Sequence, residues 1–306
     1  MPVLSRFLRY FLAVGRHGSI RRAADELGIS PSAVDRQILN VEAELGLPLF
    51  ERLPTGLRLT AAGEIMMAAG HRWQKNLADV RAQIEDLQGL KRGHVDIALI
   101  EPLAKGWAPA LLRSIRSRHP GIGIGIRVMD NDAVRAAITG GEVDFGILFD
   151  PQSWRDLSVR AFTEVALGFV TPPGHALARE EARFSACAGM PLILPAEPLV
   201  PCAQIAVLEG ATSLTVDRAM TADSVQMIAS LVMEGAGIGI ATEIDVMTEV
   251  AQGLLHFTRI SDPILRPLTL ALCTATAGSP SYAANMVLAE MEAGFVALGQ
   301  GAAATA

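Results

Sequence analysis

Long apolar runs are missing from this sequence. The strongest apolar stretches, Ile97 to Ile100 and Leu268 to Cys273, fall far short of the ~20 residues that a helix needs to cross a bilayer, so no membrane partner is expected. The segment from Met1 to Arg16 interleaves Arg6, Arg9 and Arg16 with apolar residues at helical spacing and lacks the basic, apolar, cleavage-site order of a secretion signal. A cytoplasmic location is the expectation. Cysteine is scarce: Cys187, Cys202 and Cys273 are scattered and match no metal-ligand spacing, which suits a reducing compartment and argues against a structural metal. His17, His71, His94, His119, His175 and His256 lie far apart, and neither a Gly-x-Ser-x-Gly elbow nor a phosphate-binding Gly-x-x-x-x-Gly-Lys loop occurs. The glycine-rich Gly235 to Gly239 follows an expected helix and opens an expected strand, the reverse of a dinucleotide-binding turn. No catalytic residue, cofactor or metal is therefore expected. A basic excess is absent as well, the net charge being −6. The charge is divided, however: residues 1–92 hold 13 Lys/Arg against 10 Asp/Glu, and residues 93–306 hold 13 against 22. Only the first part mildly favours phosphates.

What is present is apolar material: 306 residues, half of them hydrophobic, suffice for two or three domains with buried cores. Leu4, Phe7, Leu8, Phe11, Leu12 and Val14 recur at helical spacing, and Gly15 to Gly18 is expected to break that helix. Ser19 caps a second helix through Ile20, Ala23, Ala24 and Leu27, with Gly28 for the tight turn. Ser30-Pro31 reads as a side-chain cap with proline at the first helical position. In the third helix Val34, Ile38, Val41 and Leu45 share the inner face. Ser32, Arg36, Asn40 and Ala43 lie opposite, flanked by Ala33, Asp35 and Leu39. Two short helices around a glycine turn, the second with a polar outer face, describe a helix-turn-helix for double-stranded DNA. Leu47 to Arg52 and Gly56 to Thr60 flank the Pro54-Thr55-Gly56 turn, a hairpin wing that carries Arg52 and Arg58.

These residues resemble a known family. Ala23-Ala24-Asp25-Glu26-Leu27, Ser30-Pro31-Ser32-Ala33-Val34, Arg36-Gln37-Ile38, Pro48-Leu49-Phe50-Glu51-Arg52 and Leu59-Thr60-Ala61-Ala62-Gly63 are similar, almost without gaps across residues 4–64, to the LysR-type transcriptional regulators. The resemblance implies that Ser30, Pro31, Ser32, Ala33, Asp35, Arg36, Gln37, Asn40, Arg52 and Arg58 face DNA. Where relatives commonly carry serine and a basic residue, this chain has Asp35 and Leu39. Asp35 either accepts a hydrogen bond from a cytosine amino group or pairs with a neighbouring arginine.

From Ala61 a long helix is expected, with Met66, Gly70, Trp73, Leu77, Val80, Ile84 and Leu87 alternating by four and three. That heptad seam, in a segment resembling the family's linker helix, makes Trp73, Leu77, Val80, Ile84 and Leu87 the dimerisation candidates, and Lys91-Arg92-Gly93 ends the helix. The expected organisation is α+β then α/β: a winged helix-turn-helix over 1–60, a linker helix over 61–92 and an effector domain over 93–306.

In that last part Val95 to Ile100, Trp107 to Arg118, Ile122 to Val128, Asp130 to Thr139 and Val143 to Phe149 alternate as strand and helix, which implies a mostly parallel sheet. Gly141 to Ile147, Pro173 to Ala178 and Glu234 to Ile240 resemble the family's two-lobed, periplasmic-binding-protein-like effector domain. Lobe I would comprise about 93–163 and 267–300, lobe II about 164–266. The resemblance implies a cleft for a small-molecule effector lined by Glu101, Pro102, Leu103, Ala104, Phe149 and Asp150 on one side. Pro195, Ala196, Asp223, Ser224, Thr242 and Glu243 would line the other. Glu101, Asp150, Asp223 and Glu243 crowd that site with negative charge, which argues against an anionic effector. The family reading further implies a homodimer or homotetramer that works with RNA polymerase. A redox switch through Cys187 and Cys202, an enzyme and a stand-alone solute-binding protein are the alternatives.

Overall fold

The computed structural model describes residues 6–86, 93–151, 154–212, 214, 216–276 and 280–304. The chain divides into two compact units, Met1–Gly93 with Thr139–Val143, and His94–Ile138 with Asp144–Ala306.

In the first unit α1 (Arg6–His17), α2 (Ile20–Leu27) and α3 (Pro31–Leu45) precede the antiparallel hairpin of β1 (Phe50–Leu53) and β2 (Gly56–Leu59), and α4 (Ala61–Asp86) follows. Leu4 lies outside the described residues. The three-and-four spacing in α1 buries Phe7, Leu8, Phe11, Leu12 and Val14 against Ala23, Ala24, Val34, Ile38 and Leu49. Each large side chain so removed from water contributes about 1.5–3 kcal/mol. Gly15 does not break α1, which runs to His17; a methyl at Gly15 would fall 1.8 Å from the Met67 side chain of α4, so the glycine is a point of close approach. Ser19 caps α2 as its position implied, and Gly28 closes it at φ 65°. Ser30 begins α3 without a side-chain cap, and its hydroxyl accepts from the Ser32 hydroxyl (3.3 Å). The inner face of α3 also ends early: Val34 and Ile38 are buried, but Leu45 is 48% exposed.

Two polar side chains fix the hairpin. The Glu42 carboxylate of α3 accepts from the N–H groups of Leu49 (2.6 Å) and Phe50 (3.1 Å). Thr60 donates its hydroxyl to the Pro48 carbonyl (2.7 Å) and accepts from the Gly63 N–H (3.1 Å), which starts α4 beside the hairpin. A Cβ on Gly63 would meet the Leu49 carbonyl oxygen at 2.1 Å. Met66 and Gly70, expected in an outward seam, belong instead to this core: Gly70 is buried with Leu8 and Leu12 side chains under 3 Å from where its Cβ would lie.

From Gly93 the elements are β3 (Gly93–Ile100), α5 (Trp107–Arg118), β4 (Ile122–Met129), α6 (Asn131–Thr139), β5 (Phe145–Phe149), β6 (Leu157–Val165), β7 (Leu167–Thr171), β8 (Glu181–Ala182) and β9 (Pro191–Pro195). Then come α7 (Pro201–Thr212), β10 (Asp217–Ala222), α8 (Val225–Met233), β11 (Ile238–Thr242), α9 (Met247–Ala251), β12 (His256–Ile260), β13 (Leu268–Ala275) and α10 (Tyr282–Ala304). They form a five-stranded sheet, order β4-β3-β5-β13-β6, and a six-stranded sheet, order β10-β9-β11-β7-β12-β8. β3 runs parallel to β5, and β9 to β10 and β11. β13, however, is antiparallel to β5 and β6, and β7 to β11 and β12, so both sheets are mixed. The chain passes between them at 165–167 and again at 261–267. The fully buried runs β5, β7 and β11 are central, whereas β6 lies at an edge and alternates.

Replacing Gly63 by alanine should destabilise the first unit by about 2 kcal/mol or more, because the methyl collides with a backbone carbonyl rather than a yielding side chain. Denaturant unfolding followed by circular dichroism measures this; a loss below about 0.5 kcal/mol would show that the hairpin entry moves aside freely.

Candidate functional site

The outer face of α3 presents Ser32, Arg36 and Asn40 to solvent, with Ala33, Asp35 and Gln37 half-buried at its sides. Pro31 preorganises the first turn and the Gly28 turn sets α3 across α2, the geometry a recognition helix needs. On the wing, Arg52 donates to Asp35 (2.7 Å) and Arg58 to Glu51 (2.7 and 3.2 Å). Asp35 therefore holds an arginine, the second of its two readings. Such solvated pairs are worth about 0–1 kcal/mol, so phosphate can displace them.

A second site lies between the two sheets, where a cavity of about 430 Å³ opens at the carboxyl ends of β3, β4 and β5 and of β10 and β11. Its apolar lining is Ile100, Pro102, Val128, Met129, Phe149, Pro198, Leu199, Val200, Pro201 and Val225. Glu101, Asp130, Asn131, Asp223 and Asp245 supply the polar lining, and among the described residues no Lys, Arg or His lines the cavity. Asn131 spends its amide on the Phe149 backbone, accepting from its N–H (2.7 Å) and donating to its carbonyl (3.1 Å). Glu101, just past β3, accepts from the Ser224 hydroxyl (2.9 Å) at the start of α8, a bond from one sheet's elements to the other's. Lys105 and Glu249 of α9 make a second such contact.

Asp245 is the least satisfied group. Its Oδ2 accepts from the Thr242 N–H (2.6 Å), while Oδ1 and the Thr242 hydroxyl are sealed from solvent with no partner in hydrogen-bond geometry among the described residues. Burial, reinforced by the charge of Glu101 and only partly offset by the Thr242 N–H and the neighbouring Thr242 hydroxyl, pushes its carboxyl up to about 7. An anion about 4 Å from such a carboxylate would be repelled by about 4 kcal/mol at an effective dielectric of about 20.

A family model described as the LysR substrate binding domain matches residues 88–295, and one for the bacterial regulatory helix-turn-helix protein of the lysR family matches residues 5–64. The chain belongs to the LysR family. This LysR-type regulator is 35% identical over 182 residues to the RuBisCO operon transcriptional regulator of Allochromatium vinosum, a match that covers 60% of each chain. It is 28% identical to the HTH-type transcriptional regulator CbbR of Xanthobacter flavus, over 85% of this chain and 79% of that one. Among solved structures, ArgP from Mycobacterium tuberculosis superposes with a TM-score of 0.69 at 19% identity, over 94% of this chain and 96% of that one. The shared fold is thus a helix-turn-helix joined to a two-lobed α/β domain.

Of the effector residues expected from the sequence of this LysR-type regulator, Glu101, Pro102, Phe149 and Asp223 line the cavity, and Ser224 touches it through Glu101. The rest lie elsewhere. Leu103 is fully buried, and Ala104, Pro195 and Ala196 are not among the lining residues. Thr242 is buried behind Asp245. Asp150 and Glu243 hold the two crossings instead. Asp150, at φ 50°, donates its N–H to the Thr269 carbonyl (2.7 Å) and accepts from the Thr269 N–H (2.8 Å). Glu243 makes the same pair of bonds with Ala166 (3.1 and 2.9 Å). Burial raises both carboxyls against these bonds. Asp130 and Asp245 were missed; Asp130 carried a readable signal, an Asp-Asn pair opening a helix, and its carboxylate accepts from the Ala133 N–H (2.8 Å).

The cysteines do not favour redox chemistry. Cys187 donates to the Phe184 carbonyl and burial pushes its thiol up to about 11; Cys273 is pushed up to about 12, and Cys202 is raised by burial and by Glu197. All three stay as neutral thiols at physiological pH, whereas the reactive form is the thiolate.

Two predictions concern these sites. Asp35→Ser should free Arg52 for phosphate, raise affinity for arbitrary DNA and steepen the slope of log K against log salt by about 0.9. Fluorescence anisotropy across a salt series reads this, and an unchanged slope would remove Arg52 from the phosphate contacts. Asp245 has a folded pKa above its unfolded value, so the native state binds the extra proton between the two. Stability from this residue is full below about pH 4 and is lost as pH rises through about 7, by on the order of 4 kcal/mol at most. Urea titrations at several pH values should show the wild type losing stability relative to Asp245→Asn over that window; parallel curves would mean the carboxyl is not perturbed.

Proposed function

We propose that this LysR-type regulator binds specific double-stranded DNA through α3 and the wing, and that a small-molecule effector in the inter-sheet cavity controls it. The division would be a DNA-binding domain over 1–60, a linker over 61–92 and an effector domain over 93–306. Ser30 to Ala33, Asp35, Arg36, Gln37 and Asn40 would approach base edges, and Arg52 and Arg58 the backbone. The observation that carries the effector reading is the Glu101–Ser224 bond beside a cavity reached by both sheets. A ligand seated there would compete for or bridge that contact and so change the angle about the two crossings. The protein would act in the cytoplasm without catalysis, as a homodimer or homotetramer that works with RNA polymerase at a promoter. Retardation of DNA from upstream of its own gene, with and without cell metabolite fractions, tests the whole reading; failure to select any sequence from a random pool would sink it.

The dimer would form along α4, where Trp73 is 52% and Val80 49% exposed and Leu77 is half-buried. Leu87 and the side chain of Ile84, like the expected helix end at Lys91-Arg92, lie outside the described residues. Apolar residues at that spacing on an exposed helix call for a partner helix. Leu77→Glu with Val80→Glu should bring like charges together in the seam, shift the protein toward monomer and lower operator affinity at least about tenfold. Sedimentation velocity that shows an unchanged oligomer would take the seam out of the interface.

A further inference from the structure

The cavity's electrostatic character narrows what it accepts. Its floor is apolar, with Ile100, Phe149 and Val225 all buried. Its polar groups are acidic: Glu101 is half-buried, Asp130 and Asp223 stand exposed at the mouth, and Asp245 lies behind them with Oδ1 unpartnered. Among the described residues Asp223 has neither a hydrogen-bond nor an ion-pair partner, and Glu101 has only the Ser224 hydroxyl.

Three helices begin at this cavity, and helix starts ordinarily favour anions. Here each start already has part of its first turn engaged or lacking a donor. The first turn of α6 gives its Ala133 N–H to Asp130. Helix α7 begins with Pro201, which has no N–H, and Cys202 donates to the Leu199 carbonyl. Helix α8 is capped by Ser224, which accepts from the Met227 N–H. The side chains offered to a ligand are dominated by acceptors: the carboxylates of Glu101, Asp130 and Asp223, above an apolar floor.

We propose that this cavity binds a small molecule carrying a cationic amino group on a compact apolar body. The ammonium donates to Glu101, with Asp223 at the mouth and the Asp245 carboxyl adding acidic character behind, while the apolar part rests on Phe149, Val225 and Leu199. The volume of about 430 Å³ lies within the range of small-ligand sites. The inference rests on reading the cavity as the effector site and names the chemical class of that effector.

The test is isothermal titration of the full-length protein with three matched sets: 3-methylbutylamine, 2-phenylethylamine and 3-phenylpropylamine, and the carboxylates and alcohols of the same skeletons. Amines should bind at least about tenfold more tightly than their matched carboxylates. Glu101→Gln and Asp245→Asn, each checked for an intact unfolding transition, should weaken amine binding several-fold and narrow that gap. Carboxylates that bind as well as amines, amines that bind both variants like the wild type, or no amine binding at about 10 mM would each overturn the proposal. A DNA-retardation arm separates it from the broader reading. A carboxylate that binds and shifts the DNA complex would keep the effector site and refute the amine; an amine that binds without altering DNA binding would keep the amine and refute effector control.

Discussion

Ala166 sits in one passage between the two sheets and Thr269 in β13 just after the other, and each is gripped at two points. In both cases a strand-end residue gives its N–H to the crossing carbonyl and its carboxylate takes the crossing N–H: Asp150 at one passage, Glu243 at the other. Two backbone groups that would otherwise lack partners are satisfied at once. Each grip extends a strand pairing by one residue within its own sheet, β5 with β13 and β11 with β7, and so anchors the chain where it enters or leaves a crossing. Asp150 adopts φ 50° to do this, a region that aspartate tolerates better than most side chains.

The same two residues show where sequence reasoning reaches its limit. Asp150 and Glu243 were expected in the cleft because they follow strands whose carboxyl ends face it, and they lie within two residues of Phe149 and Asp245, which line the cavity. Which way an acid at a strand end turns depends on the neighbouring crossing, and no local pattern records that. Asp245 escaped notice for the converse reason: it lies beyond a strand that was expected correctly, in a turn whose inward direction is set by the bond from Thr242.

The first unit was more legible because its signals are local. Capping serine, turn glycine and apolar spacing all act within a few residues, and α1 to α3 and the start of α4 fall close to their expected bounds. The two misreadings there come from packing at a distance. The break expected over Gly15 to Gly18 falls at Gly18, and Gly15 and Gly70, placed in the break and in a seam, each let α1 and α4 approach, a fact visible only once the helices are assembled. In the second unit the sheets were expected to be mostly parallel because βαβ alternation was clear as far as Phe149. β13, which makes the five-stranded sheet mixed by running antiparallel to both β5 and β6, returns from a distant part of the chain.

Glu42 deserves a last consideration. By holding both the Leu49 and the Phe50 N–H groups, one carboxylate on the recognition helix dictates where the hairpin starts, and Thr60 then dictates where the long helix leaves it. Helix, wing and linker root form a single jointless caliper. A caliper of this kind offers no slack within one copy to follow an operator whose half-sites are spaced differently. Any tolerance to spacing must come from the DNA, by bending or twisting, or from rearrangement between copies.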